Sequence, residues 1–180
     1  MKNIYRIFLL SFALVLYSCS EELDINSNPL SPPNITSELA LASAQAGIAT
    51  VTGGDLTNLG GFWAQYHTQA PTAGQYENID QYNINATFAN RLWSTLYAGS
   101  LSDLQYVIEK SGENGETGNA MIATALRAYT YQLLTDVFGD VPYTEALQGE
   151  INITPAPTPQ QEIYAGLLQE LDAAVAAYEA

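Results

Sequence analysis

From about Thr117 to Phe138 the side chains of Ile122, Leu126, Tyr129, Leu133 and Val137 recur every three or four positions. That spacing marks one face of an α-helix. Ala120, Ala123, Ala125 and Ala128 keep the rest of the helix slim, which suits close packing against other helices. The chain then reaches Gly139 and Pro142. A glycine just past a helix takes the left-handed C-terminal position at no steric cost, and the proline forbids continuation. A long helix with a firm stop, slim enough to pack closely on other helices, is therefore expected here.

The remaining pattern is of the same kind. A first helix opens at Thr36 or Ser37, either of which can cap it, and carries Leu41, Ala44, Ile48 and Val51 on one face. Gly53-Gly54 is expected to end it. Trp93, Leu96, Leu101, Leu104, Val107 and Ile108 form a broad stripe between Thr87 and Lys110, and Ser111 to Gly115 breaks the chain. Thr158-Pro159-Gln160-Gln161 reads as an N-cap, a proline at the first helical position and a capping-box partner. Ile163, Leu167, Leu171, Ala174 and Tyr178 line the helix that follows. The expected class is all-α, with tetratricopeptide-like helical pairs suggested by helix starts near 87, 119 and 159. The last helix reaches Ala180 with no stop signal and with an apolar stripe still to cover, so the domain reads as incomplete at the C-terminus.

Residues 60–86 are different. Gly60-Gly61-Phe62-Trp63-Ala64-Gln65-Tyr66-His67 and Tyr76-Glu77-Asn78-Ile79-Asp80-Gln81-Tyr82-Asn83 mix aromatics, amides and glycine with little periodicity. A short helix around 61–68 and a long irregular loop with a strand-like stretch at 76–84 are expected.

The N-terminus carries a targeting pattern. Lys2 and Arg6 precede the apolar run Ile7 to Leu16, which has the length of a secretory signal and is too short to span a bilayer. Leu16-Tyr17-Ser18-Cys19 resembles a bacterial lipobox, in which the cysteine is acylated and becomes the new N-terminus. Residues 1–18 thus read as a lipoprotein signal peptide and 19–35 as a tether rich in Asn, Ser and Pro. Ser20-Glu21-Glu22 resembles the acidic export signal of surface lipoproteins of Bacteroidetes. Residues 36–180 form the folded part.

Composition removes several functions. The 180 residues hold 19 Asp+Glu against 5 Lys+Arg, a net charge of −14, and this leaves no basic patch for nucleic acid. One Cys and one His exclude both a disulfide framework and a Cys/His zinc cluster, and no residue pattern points to a metal or cofactor. Asp136 and Asp140 are four apart, but Gly139 ends the helix between them, so they do not form a glycosidase carboxylate pair. Gly112 to Gly118 lacks the Lys-Ser/Thr of a phosphate loop. No catalytic residue is assigned.

The run from Arg127 to Leu147, with Phe138-Gly139-Asp140-Val141-Pro142-Tyr143 at its centre, resembles the signature of the SusD/RagB-like family of nutrient-binding outer-membrane lipoproteins. Leu23-Asp24-Ile25-Asn26-Ser27-Asn28-Pro29, the Trp93 to Ile108 helix, and Glu162-Ile163-Tyr164 with Leu171-Asp172-Ala173-Ala174 agree with it. The resemblance implies the N-terminal part of a longer, tetratricopeptide-like helical lipoprotein facing the cell exterior. It further implies a lid on a TonB-dependent outer-membrane transporter that captures glycans, or in some members peptides. It implies binding without catalysis; a surface glycoside hydrolase and an adhesion or scaffold lipoprotein are the alternatives.

A neutral sugar or peptide site needs flat apolar faces beside amide donors and acceptors. Trp63, Tyr66, Tyr76 and Tyr82 stand in the irregular segment among Gln65, Gln69, Asn78, Gln81 and Asn83 and are the candidate ligand-binding residues. Trp93, Tyr97, Tyr129 and Tyr131 lie on helices and are read as mainly core. His67 is read as packing or as a ligand contact.

The anchor gives a first prediction. Cys19→Ala should abolish metabolic labelling with palmitate and release the protein from the outer membrane. Retention of the alanine variant in membrane fractions lacking the transporter would overturn the lipobox reading.

Overall fold

A computed structural model describes residues 35–180; Cys19, the signal segment and most of the tether lie outside them. The order is α1 (Ser37–Thr50), a π-helical segment Val51–Leu56, α2 (Thr57–Trp63), α3 (Glu77–Asp80), and α4 (Asn90–Trp93). A second π-helical segment Ser94–Ser100 leads to α5 (Leu101–Asn114) and α6 (Thr117–Phe138). The chain ends with β1 (Val141–Pro142), a 3₁₀ turn Gly149–Ile151, β2 (Pro157–Thr158) and α7 (Gln160–Glu179). The fold is all-α apart from the two-residue antiparallel pairing of β1 with β2, which sets Val141 opposite Thr158 and Pro142 opposite Pro157. Helix α5 packs on α1 and α6, and α6 packs on α7.

Thr36 is the N-cap of α1: its backbone is extended and its Oγ1 accepts the Leu39 N–H at 3.3 Å. The stripe Leu41, Ala44, Ile48 and Val51 is buried as its spacing requires. Gly53-Gly54, however, does not stop the helix. The backbone widens into π-helical turns and runs on into α2, with neither glycine at positive φ. Thr52 and Thr57 hydroxyls bond the carbonyls of Ile48 and Thr52, satisfying acceptors along the widened stretch. The break expected at 111–115 falls at its far end: α5 continues to Asn114 and ends on Gly115, left-handed at φ 72°.

Glu116 locks that corner to the start of α1. Its Oε2 accepts from Ser37 at 2.6 Å, Asn119 at 3.2 Å and Ser111 at 3.4 Å, while Oε1 accepts from Asn114 at 3.0 Å. Donors converging on the ionised form, the Ser37 hydroxyl first among them, hold its pKa below the usual carboxylate range.

The long helix α6 spans the expected residues but presents a different face. Ile122, Tyr129 and Val137 are exposed, and the buried positions are Ala123, Thr124, Ala128, Thr130, Tyr131, Leu134 and Thr135. The small residues decide the rotation. They allow α6 close approach to its neighbours, and Thr124 and Thr130 bond the carbonyls of Ala120 and Leu126 at 2.9 and 2.7 Å, so they enter the core with their hydroxyls satisfied.

Gly139 has φ 77° and ψ −124°, a positive-φ conformation outside the expected left-handed helical basin. The reversal is held by Gly139 N–H to the Thr135 carbonyl at 2.8 Å and by Thr135 Oγ1 to the Gly139 carbonyl at 2.7 Å. Helix α7 starts one residue later than expected, at Gln160, and Thr158 is not its cap. Pairing with β1 holds Thr158 extended, and its hydroxyl meets Thr144 instead. The Asp140 carboxylate accepts the Gln160 N–H at 3.0 Å, capping α7 from the preceding turn.

Tyr143 then lies against Gly166, where any side chain would strike its ring, and donates to Glu170 at 2.6 Å. Glu170 pairs with Arg127 at 2.7 Å, and Arg127 also bonds Gln105. A column of edge contacts runs from Tyr143 to Tyr131 and on to Tyr97, whose hydroxyl donates to the Pro142 carbonyl at 3.0 Å. Burial pushes the Tyr97 phenol up to about 12, and Tyr131 and Tyr143 are raised as well, again chiefly by burial.

Two predictions arise from this packing. Gly139→Val should cost about 1–3 kcal/mol, because a β-branched residue is strained at positive φ; an unchanged urea midpoint would contradict the turn. The unfolded chain ionises its tyrosines near pH 10 while Tyr97, Tyr131 and Tyr143 stay protonated in the fold, so stability should be present below about pH 10 and decline as pH rises toward 12. Circular dichroism melts across that range, with Tyr97→Phe showing a shallower decline, would check it.

Candidate functional site

The segment from Thr57 to Trp93 holds the candidate residues. Its expected 61–68 helix is displaced to Thr57–Trp63, since the π-helical turns carry the helix directly into it. Its expected strand-like stretch is instead the helical turn Glu77–Asp80 flanked by tight turns. Here the Asp80 N–H bonds the Tyr76 carbonyl, the Tyr82 N–H bonds the Ile79 carbonyl, and Tyr82 sits at φ 55°. Local turn bonds outweigh the extended preference of the aromatics. Thr68 closes the loop by donating to Asp80, 3.0 Å from one carboxylate oxygen and 2.8 Å from the other.

The four aromatics separate into different settings. Trp63 is stacked between Tyr82 and Phe88, at ring-centre distances of 6.1 and 6.2 Å, and its Nε1–H donates to the Ile79 carbonyl. Tyr76 leans on Phe62 at 5.3 Å, its hydroxyl accepting from the Asn58 and Gln75 amides. Tyr66 is 88% exposed and Tyr82 51% exposed. Tyr66 and Tyr82 line one open cavity of about 370 Å³ with Phe62, Gln65, His67, Thr68 and Asp80. Gln65 donates to the Tyr82 hydroxyl, which donates to the Trp63 carbonyl. Trp63, 40% exposed, touches this cavity through Tyr82 without lining it, and Tyr76 does not belong to it.

His67 lines the same cavity. Its ring meets Phe62 edge-on at 4.7 Å and lies so close over Gly61 that a β-carbon there would collide with it. The wall is therefore chemically mixed: exposed phenol rings, an amide, a hydroxyl, an imidazole and a carboxylate. Such a surface offers flat apolar faces and both donors and acceptors.

A second cavity, of about 190 Å³, is lined by Asp55, Asn58, Leu59, Tyr76, Ile79, Phe88, Ala89, Arg91, Leu92 and Val137. Asp55 and Arg91 were not singled out from the sequence. The only signal was an acidic residue after Gly53-Gly54, a dipeptide that reads as a helix stop and hides the π-helical turn that delivers Asp55 here.

Asp136 and Asp140 do not converge. Asp136 accepts the Tyr164 hydroxyl at 2.7 Å, and Asp140 caps α7. Among the described residues no cluster of His, Cys, Asp and Glu is arranged to hold a metal ion, and no helix is long and apolar enough to cross a membrane.

The sequence pattern of the SusD-like family, described as starch-binding and associating with the outer membrane, matches residues 29–180. The chain belongs to the SusD-like family. The crystal structure of a SusD/RagB family protein from Bacteroides thetaiotaomicron superimposes with a TM-score of 0.69 at 25% sequence identity. That superposition covers 80% of this chain and 30% of the crystallised one, so the SusD-like fold seen here corresponds to under a third of that relative's length. No curated protein matches the chain.

Proposed function

We propose that this SusD-like chain is a lipid-anchored nutrient-binding protein of the outer membrane, facing the cell exterior and capturing glycans for a TonB-dependent transporter. The observation that carries the binding role is the open Tyr66–Tyr82 cavity, where exposed phenol rings stand beside Gln65, Thr68 and Asp80. Sugar rings present C–H faces to aromatics and hydroxyls to amides and carboxylates, so this wall suits a neutral oligosaccharide. The matched family's description as starch-binding and outer-membrane-associated supports the same reading, as does the lipobox-like Leu16 to Cys19. A peptide ligand is the second reading, favoured by the same mixture of amides and aromatics.

Retention on polysaccharide affinity gels, beginning with starch, tests the reading. Tyr66→Ala and Tyr82→Ala should each weaken retention about two- to tenfold, the worth of an aromatic contact of about 0.5–1.5 kcal/mol. Tyr66→Ala should leave the melting temperature almost unchanged, as its ring is exposed. Loss of reducing ends into solution would favour a hydrolase, and retention of a peptide library with no polysaccharide bound would favour the peptide reading.

A further inference from the structure

The second cavity contains an unusual electrostatic arrangement. Asp55 Oδ2 is buried and has no hydrogen-bond partner among the described residues. Arg91 Nε stands 3.6 Å away, beyond the 2.7–2.9 Å expected of a charge-assisted bond. The two groups offset one another's charge without consuming the acceptor or the donor between them. Buried acceptors are nearly always bonded, because leaving one unpaired forfeits its hydration. An orphan carboxylate oxygen in a cavity wall is therefore a position that a third group is suited to fill.

The surroundings say what that group is. Leu59, Ile79, Phe88, Leu92 and Val137 supply apolar walls, and the Asn58 amide and Tyr76 hydroxyl supply further polar atoms. A simple ammonium would pair with Asp55 but leave the adjacent guanidinium in conflict with it. A hydroxyl suits both, donating to the carboxylate and accepting from the arginine. The Arg91 side chain is 71% exposed and free to shift as a hydroxyl enters. Several hydroxyls on a ring with C–H faces would also meet Asn58 and the apolar walls.

We propose that this cavity is a subsite for one sugar ring, gripped through a hydroxyl between Asp55 and Arg91. The proposal rests on the glycan-capture reading above and extends it. The Phe62–Tyr76 ring pair joins the two cavities, Phe62 lining the Tyr66–Tyr82 cavity and Tyr76 lining this one. One oligosaccharide would then place successive units on either side of that pair.

The test is saturation-transfer NMR on the full chain with methyl glycosides of glucose, galactose, mannose and xylose, and with butylamine as the cationic probe. At least one glycoside should bind, with its dissociation constant raised at least tenfold by Asp55→Asn and by Ala89→Leu, which fills the cavity. Leu168→Ala, an exposed position in neither cavity, should change it less than twofold. If Ala89→Leu fails to fold by circular dichroism, the near-isosteric Asp55→Asn decides alone. Absence of glycoside binding, binding unaltered by Asp55→Asn, or binding of butylamine alone would overturn the subsite. Polysaccharide retention that survives Asp55→Asn but falls with Tyr66→Ala would overturn the subsite and leave the function standing. Failure of the unmodified chain to retain any polysaccharide would overturn the function itself.

Discussion

The reversal after Phe138 governs the second half of this molecule. Gly139 at positive φ turns the chain out of α6, and the Thr135 carbonyl is shared by the Gly139 N–H and the Gln160 side-chain amide at 2.8 and 2.9 Å. Asp140 caps the first N–H of α7. Two helices are thereby stitched together at their ends before any apolar surface is considered. The turn also delivers Tyr143 to Gly166 and Glu170, and the Pro142 carbonyl to Tyr97. Arg127, held by Glu170 and Gln105, links α6 to α7 and α5. A backbone constraint at one residue thus sets the register of the helix pair.

That register reaches the candidate site. Tyr97 stacks on Trp93 at 4.7 Å, and Trp93 meets Phe138 edge-on at 5.1 Å. Trp93 closes α4, whose Leu92 and Arg91 help form the Asp55 cavity, and Val137 of α6 forms part of its wall. The π-helical turn Val51–Leu56 supplies Asp55 from the opposite end of the chain's order. Irregular helical turns are common where side chains must be re-aimed, and here one aims a carboxylate at an arginine it does not bond.

The Tyr66–Tyr82 cavity depends on a different principle. It stands on loop residues whose own bonds hold them: Thr68 to Asp80, Gln69 to the Tyr76 N–H, and Tyr82 to the Trp63 carbonyl. Trp63 stacks on Tyr82 and Phe88, and Tyr66 and Tyr82 remain exposed.

The sequence by itself determined the class and the punctuation of the fold. Periodicity placed α1, α6 and α7 within a few residues, Thr36 capped where its hydroxyl allowed, and Gly139 with Pro142 forced the turn. These features are local: each depends on spacing or on a single residue's conformational freedom. The tertiary structure decided what pairwise packing alone can decide. It turned α6 so that Ala123, Ala128 and Thr130 face inward while Ile122 and Tyr129 do not. It drew the Gly53-Gly54 helix onward through π-helical turns, gave the cap of α7 to Asp140 in place of Thr158, and parted Tyr76 from Tyr66 and Tyr82. Close approach between helices favours small residues over the most hydrophobic ones, and a loop's aromatics choose neighbours by three-dimensional fit. Neither preference is written in the order of the residues.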